Sequence, residues 1–121
     1  DESGQPVDIY SNPLWLPEER RPLLAQAQAF QNELAYTRPS VPTVCIFGYA
    51  QKTITDLHIQ RGSAGSWQKL DLQRVEAGDN TVPQASAVLP GADVHPVQQH
   101  HGSLYVDNDV RMRLTVELTW R

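Results

Sequence analysis

The spacing of hydrophobic positions changes along the chain, and each change marks an element. Residues 1–16 open with polar and turn-forming side chains, Asp1 to Pro6. They then carry Ile9, Tyr10, Leu14, Trp15 and Leu16 at no regular interval. Large apolar side chains are out of place in a solvated tail, so this irregular segment is expected to dock on a surface. From about residue 19 to residue 36 the spacing becomes helical. Leu23, Ala27, Phe30 and Leu34 fall at i, i+4, i+7 and i+11, on one face of a 3.6-residue repeat. Ala25, Ala27, Ala29 and Ala35 favour a helix, and Glu18 and Glu19 suit its positive end. Pro22 belongs in a first turn, and Arg38-Pro39 ends the element.

The period then shortens. Thr43-Val44-Cys45-Ile46-Phe47 is a nearly continuous apolar run, the pattern of a strand buried on both faces in a parallel sheet. Pro42 is tolerated only at its start. Gly48 lets the backbone turn at the strand's C-terminal edge, where sites gather in open α/β sheets. Residues 53–61 alternate at Leu57 and Ile59, and residues 67–75 at Leu70 and Leu72. They read as two arms of a hairpin with a flexible Gly62-Ser63-Ala64-Gly65-Ser66 loop. A Gly78–Pro83 turn, a small-residue stretch at Ala85-Ser86-Ala87 and a Pro90-Gly91 turn lead to a short strand at Val94-His95-Pro96-Val97.

In the last segment two rules conflict. Val110, Met112, Leu114, Val116, Leu118 and Trp120 alternate with polar residues, which is a strand period. Yet Asp107, Asn108 and Asp109 are helix N-cap residues. Val110, Leu114 and Leu118 form an i, i+4, i+8 stripe, and Met112, Val116 and Trp120 form a second one, usable if a helix packs between two neighbours. The pattern alone leaves both open, and a family resemblance carried by the residues ahead of this segment tips the choice to a helix. The chain shows no internal repeat or low-complexity tract.

With 121 residues, 40% of them hydrophobic, the chain is a single domain or a domain fragment with one modest core. A net charge of −4, and no basic run beyond Arg20-Arg21, argue against a nucleic-acid partner. No apolar run approaches the roughly 20 residues of a transmembrane segment. No signal peptide is present; the chain begins at Asp1 and not at Met, so this says nothing about compartment. The single cysteine, Cys45, has no internal disulfide partner and reads as a buried thiol.

Candidate chemistry concentrates at two places. Asp79 lies just past a hairpin strand, between Gly78 and Asn80. Both neighbours tolerate positive φ, so a tight turn there can aim a carboxylate in a fixed direction. The same turn is also an ordinary Asx turn, with Asp79 capping the segment from Thr81. His101, followed by Gly102, opens a loop after the second short strand. A histidine at a loop is most often a surface or satisfied core residue. A hydrolase, however, needs an imidazole to take a serine proton and a carboxylate on the other ring nitrogen to hold its tautomer. Asp before His is the chain order of that relay in α/β-hydrolases. His95, His100 and His101 raise a metal reading. Neighbouring histidines point apart, and neither Cys45 nor Asp79 stands at ligand-motif spacing, so no metal or other cofactor is expected. Ser63, Ser66, Ser86 and Ser103 all lack the strand–elbow–helix setting of a nucleophile. The 62–66 loop is no G-x-S-x-G elbow, because position 64 is Ala.

Gly78-Asp79-Asn80-Thr81-Val82-Pro83, Ser86-Ala87, His101-Gly102-Ser103-Leu104, Asp107 and Val110 together resemble the C-terminal part of the lecithin:cholesterol acyltransferase-like α/β-hydrolases. In that family a G-D-G-T-V-P turn carries the triad acid, and an H-G-x-L loop carries the triad histidine ahead of the last helix. The strand ending at Gly48, with Thr53 shortly after, is similar to the strand–loop leading into that turn. The resemblance spans residues 20–120, with specific motifs only at 78–83 and 101–104. It implies Asp79 as acid and His101 as base. It also implies the C-terminal half of an α/β-hydrolase fold, with parallel strands, flanking helices and a β-hairpin, incomplete on its own. Asn80 stands where the family has Gly, and Asn tolerates the same left-handed backbone. The family's nucleophile elbow and oxyanion loop lie upstream and have no counterpart here.

Two functions follow. In the first, the chain is the C-terminal segment of a serine hydrolase or acyltransferase acting on an ester or lipid substrate, inactive without its serine. In the second, it is a non-enzymatic interaction module or a degenerate hydrolase-like domain. The first expects an Asp79 oxygen within about 3.2 Å of His101 Nδ1. It also expects an exposed strand edge or apolar face for a missing N-terminal half or a homo-oligomer partner.

Overall fold

The computed structural model describes residues 1–61 and 67–120, with the backbone alone for residues 67–70. The 62–66 connection lies outside the described residues, and Ser63 and Ser66 with it. Helix α1 spans Arg21–Tyr36, after short 3-10 turns at Pro13–Trp15 and Glu18–Arg20. Strand β1 (Val44–Gly48) is followed by β2 (Gln51–Arg61), β3 (Trp67–Gly78) and β4 (Asp93–Val97). A 3-10 helix at His101–Val106 leads into α2, Asn108–Thr119. Helices and strands are thus mixed, as an α/β chain requires. β1 and β4 form a parallel pair, from Val44 opposite Asp93 to Gly48 opposite Val97. β2 and β3 form an antiparallel hairpin.

The hairpin outruns its pattern at both feet, beginning at Gln51 and ending at Gly78. Gln51, Lys52, Glu76, Ala77 and Gly78 carry no apolar alternation, so backbone pairing alone extends the ladder there. The last segment is a helix, because its start is capped. The Asp107 carboxylate accepts the Asp109 N–H at 2.8 Å and the Val110 N–H at 3.4 Å, two of the donors a helix start leaves open. The Asp109 N–H in turn holds the Asp107 carboxyl below its ordinary value.

Contacts group the chain into two units: Asp1–Ser40 with Leu57–Asp71, and Val41–Asp56 with Leu72–Arg121. In the first, the irregular N-terminal segment is tied to itself. Asp8 Oδ1 accepts the Tyr10 N–H at 3.0 Å, and Trp15 Nε1 donates to the Ile9 carbonyl at 3.0 Å. Arg21 Nε at the start of α1 donates back to the Leu16 carbonyl at 3.2 Å. The Glu2 carboxylate accepts the Arg61 N–H at 3.3 Å, and Ile59 is buried. Helix α1 buries no residue. The stripe read from its sequence forms, but Leu23, Phe30 and Leu34 stay exposed.

The second unit holds the parallel pair. Cys45 of β1, Val97 of β4 and Val110 of α2 are its buried hydrophobic side chains. The second apolar row of α2, Met112, Val116 and Trp120, runs on the side away from Val110 and is exposed. Among the described residues β1 pairs only with β4, so each keeps one open edge.

Gly48 ends β1 at a crowded point. A Cβ there would collide with the Gln99 carbonyl oxygen and with Asp79 Cβ. Three segments remote in sequence therefore meet against a position that only a hydrogen can occupy. Gly102, by contrast, has open space around a would-be Cβ. Gly48→Ala is expected to lose about 1–3 kcal/mol of stability, as overpacked positions do. Gly102→Ala should stay within about 0.5 kcal/mol of the parent. Urea unfolding of both variants checks this; equal effects would contradict the close approach.

Candidate functional site

The site starts from a turn. β3 ends at Gly78, and the chain reverses so that Gly78 bridges Pro83 and the Asp79 N–H donates to the Val82 carbonyl at 3.2 Å. Asn80 takes the left-handed conformation, with φ of 82°. Gly78 does not use the positive φ that its sequence position tolerates. Its need is for space: a Cβ there would meet the Val82 carbonyl oxygen and come within 2.6 Å of Thr53 Oγ1. The turn is thus shaped by one residue that accepts positive φ and one that has no side chain.

Within this turn the Asp79 side chain is 4% exposed. A buried carboxylate is tolerated only when donors replace its water. Here Oδ1 accepts the Thr81 N–H at 3.0 Å and the Val82 N–H at 2.7 Å, while Oδ2 lies 2.8 Å from His101 Nδ1. Burial works to raise the Asp79 pKa. The Val82 N–H, the His101 ring and the Thr81 N–H outweigh it, and the carboxyl is held below its ordinary 3.8. Asp79 is therefore a fixed anion at neutral pH.

His101 comes to it from the other side. β4 ends at Val97, and the chain passes through Gln99 into the 3-10 helix that starts at His101. The His101 N–H donates to the Asp79 carbonyl at 2.9 Å, so backbone and ring are both tied to the same residue. Gln99 Nε2 donates to Asp107 Oδ2 at 3.3 Å, joining the two ends of the loop that carries the histidine. The carboxylate acceptor assigns the ring proton to Nδ1, which leaves Nε2 as the basic nitrogen. The His101 side chain is 53% exposed. Among the described residues no side chain hydrogen-bonds Nε2.

The other residues singled out by the sequence stand apart. His95 Nε2 lies 3.3 Å from Asp109 Oδ2 without hydrogen-bond geometry, linking β4 to the start of α2, and His100 is exposed. Among the described residues no three His, Cys, Asp or Glu side chains converge as a metal-ligand set. The Ser86 hydroxyl donates to the Pro83 carbonyl at 2.9 Å. Cys45 is buried, with the Leu89 N–H 3.4 Å from its sulfur. No helix among the described residues is long and apolar enough to cross a membrane.

One side chain enters the sequence reading only through the family resemblance, with no role attached. Thr53, on β2, is wholly buried. Its hydroxyl donates to the Gln51 carbonyl and accepts the Asn80 N–H, both at 2.9 Å. A lone threonine in a strand carries no spacing signal, and only its depth marks it. No known protein family, curated protein or solved structure matches the chain.

Because the folded-state pKa of Asp79 is depressed, its contribution to stability is full above 3.8 and is lost as pH falls through the lower folded value. Asp79→Asn is expected to be less stable than the parent at neutral pH and to show a shallower acid loss below 3.8. Urea midpoints followed from neutral pH into acid check both parts. Parallel curves for the two proteins would show that this carboxylate is not held as described.

Proposed function

We propose that the chain is the C-terminal acid–base segment of a serine hydrolase or acyltransferase acting on ester or lipid substrates. Asp79 is the acid, His101 is the general base, and the nucleophilic serine comes from outside residues 1–121. One observation carries the reading. A buried, anionic Asp79 grips His101 Nδ1 at 2.8 Å, and the opposite nitrogen of a half-exposed ring is left for another partner.

The chemistry follows from that polarity. As the serine oxygen attacks the ester carbonyl carbon, its proton passes to Nε2, and Asp79 stabilises the imidazolium that forms. Nε2 returns the proton to the departing alcohol oxygen as the acyl–serine ester is left behind. Water in hydrolysis, or a second alcohol in acyl transfer, then attacks the acyl group with the same proton relay, and the serine is regenerated.

The fold reading is that of a C-terminal half of an α/β-hydrolase. It is supported by the parallel β1–β4 pair, with the acid packed against the C-terminal end of β1 and the base just past that of β4. Parallel sheets are ordinarily covered and extended by further elements. The open edges of β1 and β4 and the exposed rows on α1 and α2 support a missing N-terminal half, or a second copy, as the partner.

The test is a fluorophosphonate probe on the full-length polypeptide that carries these residues. A serine outside 1–121 should be labelled, and His101→Ala should abolish labelling. Asp79→Asn should slow it by about 10³–10⁴-fold, as loss of a triad acid does. No labelling, or labelling indifferent to His101, would remove the hydrolase reading and leave an interaction module.

A further inference from the structure

We infer that Thr53 is a positioning residue for the Asp79–His101 pair, acting through the peptide N–H of Asn80. The inference rests on the reading of that pair as acid and base. The turn after Asp79 offers three peptide donors in succession, from Asn80, Thr81 and Val82. Two of them, Thr81 and Val82, are taken by Asp79 Oδ1. The first is turned away from the carboxylate and onto the Thr53 hydroxyl at 2.9 Å. That division leaves Oδ2 with the imidazole.

The hydroxyl is held for this task from two sides. Its own proton is committed to the Gln51 carbonyl at 2.9 Å, so a lone pair faces Asn80. Thr53 is wholly buried, so no water stands ready to replace it. The missing side chain of Gly78 is what admits the oxygen, since a Cβ there would stand 2.6 Å from Thr53 Oγ1. Backbone pairing between Gln51 and Asp79 fixes the same two segments side by side. Without the hydroxyl, the Asn80 N–H loses the acceptor that holds it. The turn then rotates to find one, and the carboxylate that faces His101 rotates with it.

A purely structural threonine would lower stability and leave the pair intact in molecules that still fold. The experiment therefore reads the pair itself. In the 121-residue chain, ¹⁵N shifts of neutral His101 give the fraction of ring carrying its proton on Nδ1, for the parent, Thr53→Val, Thr53→Ser and Thr53→Ala. Ser and Ala both lose the methyl and differ in the hydroxyl alone, so they decide the matter if Thr53→Val does not fold. The expected result is an Nδ1–H ring in the parent and in Thr53→Ser, and loss of that tautomer preference in Thr53→Ala. In the full-length enzyme, Thr53→Ala should slow fluorophosphonate labelling by about 10–100-fold, the scale of a misplaced catalytic group, with Thr53→Ser restoring it. Retention of the Nδ1–H tautomer in both Ser and Ala variants, or its loss in both, overturns the inference. The tautomer measurement does not involve the serine, so failure of the hydrolase reading shows in the probe experiment and failure of this inference shows in the ring.

Discussion

One carboxylate, taken almost wholly out of water, organises the second unit. Asp79 uses every polar atom it has: its N–H, its carbonyl and both carboxylate oxygens are bonded within the chain. A buried anion is among the more expensive things a small fold can hold, and it persists here because donors arrive from two directions. The turn supplies peptide N–H groups, and the loop after β4 supplies an imidazole. Neither set alone would satisfy both oxygens.

This constraint explains why segments so far apart in sequence are bound to one another. β1 ends in a glycine because the acid and the Gln99 carbonyl lie against it. β3 ends in a glycine because the foot of β2 reaches the turn through Thr53. The histidine loop is anchored at its start by the Asp79 carbonyl and is spanned by the Gln99–Asp107 contact. The same Asp107 then caps α2, so the end of the histidine loop and the beginning of the last helix are one device.

Much of this is readable in the sequence. The stripe at Leu23, Ala27, Phe30 and Leu34 marks α1 and the apolar run at 43–47 marks β1, while Asp107 to Asp109 only balance the alternation that follows them, and the resemblance tips that segment to a helix. Asp79 and His101 were legible because each follows a strand and stands in a turn-forming context. What covers α1 was not legible, because a helical period says which face is apolar and not what meets it. Gly78 is legible as a residue that tolerates positive φ, but the room it leaves is not, because that depends on Val82 and Thr53 lying against it. Thr53 enters only through the resemblance, and what it does is not legible, since that depends on depth and on a neighbour 27 positions away.

The bonds that fix Asp79 and His101 come from three short windows, at residues 48–53, 78–83 and 99–107. Within the second unit, residues 54–56 and 72–77 of the β-ribbon supply none of them. The pair therefore depends on three brief stretches, and a change of side chain at 54–56 or 72–77 removes none of its bonds.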